Sequence, residues 1–471
     1  GCAARRRCVR QWWLVVAVSA EAAAAAAAAA DVASAVALDD ITLAPFCSQD
    51  LCAPTSKTND AARHDATTTE VLQETLRGGQ GEEAPQDVSS RASYERYTQP
   101  DAPFELASSG DVQLLSFLWL QKRAKEGKEL PRRQDLPPEA FADMDALRKA
   151  HDDLPPHIRA AVLPMLSVSY CWLEPGHPDP DGKQLRHVVE TLDKYLVTGS
   201  GYNIPDPEPW HSFFPDMAVF WDWGSIYQKD PKLFHPCCGG PGYVPPEKRS
   251  DAERAAAEAY ETSRSMEEKE SFSRALHDTM DVWYAHQMIT TIFVTRIPEG
   301  NDHIVYDDRG WPFFERTSAE LIKPSTPYVV EDGRPLREGR WLWPMRIDSS
   351  ADGRIAEAQR PPIAPITFEQ EVRKRTFTNA ADVSGVASLF EKTATQVLRE
   401  TKKIFLKNAP VQAGDGERLA HVFSLCSSIE ELIWIFTDMP AEEAEAMLAS
   451  PIPTLRNLNF QDAKLTGSIP A

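Results

Sequence analysis

Three short runs of apolar residues, none of which contains a charged side chain, constrain the fold of this 471-residue chain most strongly. They cover residues 161–170, 217–221 and 288–294 and are rich in β-branched and aromatic residues. Runs of this length and character are typical of strands buried on both faces of a parallel sheet. The sequence therefore predicts three parallel strands that lie side by side.

Segments with helical spacing separate the three runs. One segment has apolar residues on a single helical face, at Leu185, Val188, Val189, Leu192 and Leu196. The other has large side chains at intervals of four residues, at Phe272, Leu276, Met280 and Tyr284. This spacing is typical of amphipathic helices. Alternating strands and helices predict an α/β fold with right-handed crossovers and a doubly wound parallel sheet.

Polar residues follow each predicted strand. The first run ends in SYCW (residues 169–172), the second leads into Asp222, and RGWPFFE (residues 309–315) comes after the third. Ligands of open α/β sheets bind in the crevice outside the carboxyl ends of the strands. These three strings are therefore the candidates for a ligand site.

The order and spacing of the strings resemble the heterokaryon-incompatibility (HET) domain of fungi, which is in turn similar to TIR domains. The resemblance covers about residues 161–325 and also includes Gln228, six residues after Asp222. Trp311 and Glu315 keep the interval of four residues found between the Trp and Glu of the TIR motif. An insertion at about residues 229–268 separates the second strand from the next helix.

This resemblance implies a TIR/flavodoxin-like sheet and cleavage of the bond between nicotinamide and ribose in NAD⁺, which would be a substrate and not a resident cofactor. Such cleavage requires an anion that stabilises an oxocarbenium-like ribosyl cation. Glu315 is the implied catalytic carboxylate. The implied ligand-binding residues are Ser169, Tyr170, Trp172, Asp222 and Trp311.

The same residues also have structural interpretations. Glu315 fits an acid in the first turn of a helix, where the helix dipole favours negative charge. Asp222 fits a turn cap, and the tryptophans fit core packing. The domain would then be a non-catalytic module that uses its sheet for homotypic assembly. Fold alone does not decide between the two functions.

Metal and nucleoside-triphosphate chemistry have little support in the sequence. His235, Cys237 and Cys238 match no standard zinc spacing, and the following Gly239-Gly240-Pro241-Gly242 predicts a flexible loop. We therefore predict no metal site. The glycine-rich phosphate loops of kinases and P-loop enzymes are missing from the sequence.

Charge and cysteine content restrict the partners and the compartment. A net charge of −20 disfavours binding to nucleic acid and to anionic membranes. Eight scattered cysteines predict no disulfide framework, which favours a reducing, cytoplasmic setting. The alternative is a signal or anchor, because arginines precede an apolar stretch at residues 12–20, although that stretch is too short to span a bilayer.

The sequence predicts five regions. They are disordered low-complexity sequence at residues 1–100, a helical lead-in at 101–160, the α/β domain at 161–348, a linker with helices at 349–416, and truncated leucine-rich repeats at 417–471. The repeat prediction rests on Ile429-x-x-Leu432-x-Trp434, which recurs 26 residues later as Leu455-x-x-Leu458-x-Phe460. The LTGSIP ending resembles the plant-type repeat consensus. Two units cannot bury a continuous core, so the sequence predicts a fragment of a longer protein. The expected partners are proteins, bound through the repeats and through self-association of the α/β domain.

Overall fold

The computed structural model describes the chain at residues 93–194, 213–239, 242–301, 303–324, 330–331, 334–335, 345–349, 360–378, 382–407, 409–435, 438–449, 451–461 and 465–466. The predictions for residues 1–92 and 467–471 lie outside these ranges. None of the helices in these ranges has both the length and the apolar character that a membrane crossing requires.

The chain alternates helices and strands. The α-helices are α1 Asp101–Ser108, α2 Phe117–Lys125, α3 Met144–Asp152, α4 Pro156–Arg159, α5 Lys183–Leu192, α6 Asp222–Ser225, α7 Asp251–Glu261, α8 Met266–Arg274, α9 Met280–Ala285, α10 Gly310–Ala319, α11 Pro365–Val372, α12 Asp382–Glu400, α13 Asp415–Leu425 and α14 Ala441–Leu448. The strands are β1 Leu115–Ser116, β2 Met165–Ser169, β3 Ala218–Phe220, β4 Thr290–Phe293, β5 Val330–Glu331, β6 Arg334–Pro335, β7 Arg346–Asp348, β8 Lys403–Lys407, β9 Glu431–Ile435, β10 Met439–Pro440, β11 Asn457–Gln461 and β12 Leu465–Thr466.

The larger sheet has five strands in the order β1-β3-β2-β4-β7. Strands β3, β2, β4 and β7 run parallel, and the edge strand β1 is antiparallel to β3. The three strands predicted from the apolar runs are β2, β3 and β4, and their parallel side-by-side arrangement is confirmed. The described chain is therefore mixed α/β with a mostly parallel sheet.

Strand β2 is completely enclosed, as are β3 and β4. All five of its residues are buried. Because successive side chains of a strand point to opposite faces, the sheet is covered on both sides here. Phe220 of β3 stacks on Trp283 of α9 with ring centroids 5.3 Å apart and forms part of this cover. Burial on both faces explains why the sequence shows an unbroken apolar run and not an alternating one.

The segment just before residue 101 is folded against the domain. Tyr97 is fully buried, and its hydroxyl donates to Oδ2 of Asp281 in α9 at 2.7 Å. Lys392 of α12 lies 3.4 Å from the same carboxylate oxygen. The prediction of disorder up to residue 100 is therefore wrong for residues 93–100, because Tyr97 ties this segment to α9.

Helices α11 and α12 pack on α10. Phe368 of α11 stacks on Phe390 of α12 at a centroid distance of 3.9 Å and on Phe313 of α10 at 5.1 Å. Phe314 also packs on both Phe368 and Phe390. Because successive helical residues are rotated by about 100°, anchoring Phe313 and Phe314 against these helices directs Glu315 toward the sheet.

A second parallel sheet has the order β11-β9-β8. Its strands begin at residues 403, 431 and 457, so the intervals are 28 and 26 residues. The register aligns Ile404 with Leu432 and Leu458, and Leu406 with Trp434 and Phe460. Helices α13 and α14 connect consecutive strands and pack on each other. The predicted boundary between residues 416 and 417 falls inside α13.

Candidate functional site

Two hydrogen-bonded pairs lie at the carboxyl ends of β2 and β3. Ser169, the last residue of β2, donates from Oγ to Oε2 of Glu315 at 2.6 Å. Tyr170, the next residue, donates from its hydroxyl to Oδ1 of Asp222 at 2.6 Å. Asp222 begins α6 immediately beyond β3, and Glu315 is carried by α10. The structure thus brings together four of the predicted site residues.

Glu315 is a buried acid, with only 6% of its surface exposed. Burial raises its pKa to about 8, although the hydrogen bond from Ser169 opposes the shift. The nearby charge of Asp222 raises the pKa further. The Glu315 side chain is therefore mostly neutral at pH 7. This corrects the interpretation of Glu315 as a first-turn acid, because α10 begins at Gly310 and Glu315 lies in its second turn.

Two tyrosines complete the enclosure of Glu315. The Tyr306 hydroxyl hydrogen-bonds to Oγ of Ser169, and burial raises the pKa of Tyr306 well above its usual range. The Tyr284 hydroxyl donates to the backbone oxygen of Val168 at 3.0 Å, and Tyr284 opposes the rise in the pKa of Glu315. Neither tyrosine is among the site residues predicted from the sequence. The sequence signal for Tyr306 is weak, since the pair it makes with Ser169 spans 137 residues.

Asp222 is held by neighbours on its own loop. Its Oδ1 accepts from the backbone N–H of Trp223 at 2.7 Å, and its backbone oxygen accepts from Nε2 of Gln228 at 3.1 Å. The side chain of Trp172 lowers the pKa of Asp222, and the Trp172 ring packs edge-on against Trp223 at 5.4 Å. Burial raises the pKa of Asp222 in spite of these bonds. Trp172 therefore joins the cluster through Asp222.

Trp311 lies one turn before Glu315 on α10, but its described contacts are with other residues. Its Nε1 donates to Oδ2 of Asp382 in α12 at 3.0 Å. Its ring packs edge-on against Phe314 at 6.0 Å. These contacts join Trp311 to α12 and to the next turn of its own helix. Of the predicted ligand-binding residues, Trp311 is the one that the described contacts place apart from Glu315.

A cleft of about 340 Å³ lies near this edge of the sheet, between α5 and the loop that follows β4. Its lining includes Lys183, Arg186 and His187 of α5 and residues 296–299. Ile297 of this lining also packs in the apolar cluster that contains Tyr306. The cleft therefore reaches the cover over Ser169 and not the Glu315 carboxyl group itself.

Comparison of the chain with protein-family models, with curated proteins and with solved structures finds no match in any of the three. The site must therefore be interpreted from its own geometry. That geometry is a neutral acid next to a second acid, both hydrogen-bonded to hydroxyl groups at the ends of two adjacent parallel strands. Such a pair supplies hydroxyl-binding groups and, once Glu315 ionises, a negative charge.

Proposed function

We propose that the α/β domain is a HET/TIR-like signalling domain that hydrolyses NAD⁺ at the nicotinamide–ribose bond in a defence or cell-death type of response. One observation carries the proposal. The Glu315 carboxyl group lies against Ser169 at the carboxyl end of β2, with Asp222 from the neighbouring strand end close enough to raise its pKa.

The chemistry follows from the charge of the substrate. Nicotinamide leaves from a nitrogen that is already cationic, so the reaction needs no general acid. It needs an anion near the ribosyl cation as positive charge develops there. A carboxylate about 4 Å away, at an effective dielectric constant near 20, contributes about 4 kcal/mol, or on the order of a thousandfold in rate. The Ser169 and Tyr170 hydroxyls and Asp222 are suited to the ribose hydroxyls.

The exposure of the Glu315 carboxyl group and its charge are coupled. Burial is the main cause of the raised pKa of Glu315, so moving the Tyr306 side chain aside would let water or ligand reach the carboxyl group and lower that pKa. The group would then ionise at neutral pH. The enclosed form is therefore a resting state, and an opened form carries the catalytic charge.

The topology supports the fold part of the proposal. The four parallel strands lie in the order second, first, third, fourth, which is the beginning of the flavodoxin-like order. The switch point of that order lies between the first and third parallel strands, where ligands of such sheets bind. Ser169 ends the first of these strands. Free thiols at Cys171, Cys237, Cys238 and Cys426 suit a cytoplasmic protein.

The test is nicotinamide release from NAD⁺ by the full chain, alone and after artificial clustering. Glu315→Gln keeps the size of the side chain and removes the charge, so we expect a loss on the order of a thousandfold. Asp281→Asn is the matched control, because it changes another buried acid whose contacts are with Tyr97 and Lys392. We expect it to retain activity per folded molecule. The proposal fails if the clustered wild type releases no nicotinamide or if Glu315→Gln equals it.

The second candidate function is a non-catalytic interaction module. The enclosure of Glu315 favours it, because a carboxyl group with 6% of its surface exposed is equally suited to a structural role. The repeated strand and helix units of residues 403–461 fit the start of a leucine-rich repeat array that binds protein partners. In this case self-association of the α/β domain would be the signal, and it would survive Glu315→Gln.

A further inference from the structure

Two adjacent cysteines lie between α6 and α7. Cys237 and Cys238 end the 3₁₀ turn Pro236–Cys238, and their Sγ atoms are 3.7 Å apart. Cys237 is buried, whereas Cys238 is partly exposed. The other described cysteines, Cys171 and Cys426, are both buried. Neither thiol of the adjacent pair has a part in the proposed function.

We propose that Cys237 and Cys238 form a redox modification site that closes into a disulfide between adjacent residues when a peroxide oxidises it. In the first step, one thiolate attacks hydrogen peroxide, the O–O bond breaks, and a sulfenic acid and hydroxide form. In the second step, the neighbouring thiol attacks the sulfenic sulfur, an S–S bond forms, and water leaves. Overall, two thiols are oxidised and one peroxide is reduced to two waters.

Ring closure must change the backbone between the two residues. Adjacent Cα atoms across a trans peptide lie about 3.8 Å apart, whereas disulfides usually join Cα atoms about 4.4 to 6.8 Å apart. The Cys237–Cys238 peptide is part of the ring. Its oxygen, on Cys237, accepts from the N–H of Val244 at 3.1 Å and from Nη2 of Arg249 at 3.2 Å. We therefore expect oxidation to release the segment that leads into α7.

Residues on either side of the turn contact the loop that follows β2. A Cβ atom placed on Gly176 would lie 2.9 Å from Cγ of Phe234, and one placed on Gly239 would lie 3.6 Å from Cβ of Pro175. The turn and the loop are therefore closely packed. We therefore expect a change in the backbone at Cys237 and Cys238 to shift the loop that begins with Trp172.

The reaction should accelerate as the pH rises. Burial raises the pKa of the Cys238 thiol, and the Cys237 thiol raises it further. Hydrogen bonding to the backbone of His235 and the charge of Arg249 act in the opposite direction. Tyr260 also faces Cys238 and has a raised pKa of about 12, mainly because of burial, so it stays neutral near pH 7. Because the thiolate is the nucleophile, a higher pH supplies more of it.

The test is mass spectrometry of the full chain after treatment with hydrogen peroxide, alkylation of the remaining thiols with iodoacetamide, and digestion with trypsin. Lys232 and Lys248 place both cysteines in one peptide, residues 233–248. We expect this peptide to become two hydrogens lighter and to carry no alkyl group. Dithiothreitol should restore both alkylation sites. Cleavage after Lys248 or Arg249 by trypsin under native conditions should become faster in the oxidised protein.

Cys238→Ser and Cys237→Ser are the controls, since each leaves one thiol in the same turn. In either variant, peptide 233–248 should no longer lose two hydrogens. The proposal is overturned if the treated wild-type peptide keeps two alkylated cysteines. It is also overturned if one cysteine becomes a sulfinic acid while the other is alkylated, or if the peptide is cross-linked to a different cysteine.

Discussion

The two parallel sheets of this chain bury their side chains differently. Every residue of β2 in the larger sheet is buried, and Ser169 at its carboxyl end bonds to Glu315. In the C-terminal sheet, burial alternates: Leu432 and Trp434 of β9 are buried, while their neighbours are half-exposed. A sheet covered on both faces leaves its strand ends for chemistry, and a sheet covered on one face leaves the side chains of the other face partly exposed.

The largest expected effect tests the alternation in β9. Trp434 is fully buried and stacks on Phe460, whereas its neighbour Ile433 lies on the other face. Trp434→Ala should lower the free energy of unfolding by about 3 to 5 kcal/mol. Ile433→Ala should cost less than about 1 kcal/mol, because it removes a half-exposed side chain. Denaturant unfolding measures both, and similar losses for the two variants would contradict a sheet with one buried face.

The next effect tests the enclosed end of β2 through pH. The pKa of Glu315 rises from an ordinary value of 4.5 to about 8 in the fold, mainly through burial. A raised carboxyl pKa stabilises the fold fully below the unfolded pKa, and that stabilisation is lost as the pH rises toward the folded pKa. Wild type should therefore lose about 1.4 kcal/mol per pH unit across this window relative to Glu315→Gln. Parallel stability curves for the two proteins would show that Glu315 is not buried as a neutral acid.

A smaller effect is expected from the tyrosine cover. Tyr306→Phe removes the hydroxyl that bonds to Ser169 and keeps the ring in its apolar cluster. We expect a loss of about 1 kcal/mol in the free energy of unfolding. If Tyr306 holds the resting form closed, the same variant should also release nicotinamide faster than wild type when both are measured without clustering. Slower release would assign the Tyr306 hydroxyl to the reaction and not to the cover.

The smallest effect concerns Trp311, whose described contacts do not include Glu315 or Asp222. Trp311→Phe removes the hydrogen bond to Asp382 and keeps most of the packing on Phe314. We expect a loss of about 0.5 to 1 kcal/mol in stability and no change in nicotinamide release per folded molecule. A large loss of activity at unchanged stability would instead place Trp311 at the ligand.

The sequence predicts the buried centre of the larger sheet well and its edge poorly. Strands β2, β3 and β4 are apolar because both faces are covered. Strand β7 is not predicted by the search for uncharged apolar runs, because it contains Arg346 and Asp348. Arg346 is nevertheless fully buried, near Glu320 at 3.8 Å, and burial lowers its pKa to about 10. A charge compensated by a distant residue cannot be recognised from a local pattern.

The sequence pattern also misses one unit of the repeat region, the unit that contains β8. The position of Ile429 and Leu455 in the repeat pattern corresponds to Thr401 in the unit that contains β8. Thr401 is buried, and its hydroxyl donates to the backbone oxygen of Val397. Because a threonine can satisfy its hydroxyl group within the preceding helix, it can occupy a buried position that is aliphatic in the other two units. A search for the aliphatic pattern therefore misses the unit that contains β8.

The polar cluster was only partly predictable for a similar reason. Ser169, Asp222 and Glu315 follow predicted strands or belong to motifs, so their convergence at one edge follows from the parallel topology. The pairing of Tyr306 with Ser169 depends on how the chain returns after β4, which no periodicity encodes. Whether Glu315 faces solvent or is enclosed is likewise decided by tertiary packing.

The protonation state of Glu315 is the most direct test of the claim that the resting fold holds it as a neutral, enclosed acid. Infrared difference spectra between wild type and Glu315→Gln isolate the carbonyl band of this one protonated carboxyl group. The band should be present at neutral pH and should disappear with a midpoint at about pH 8. A band that disappears near the ordinary value of 4.5 would contradict the claim.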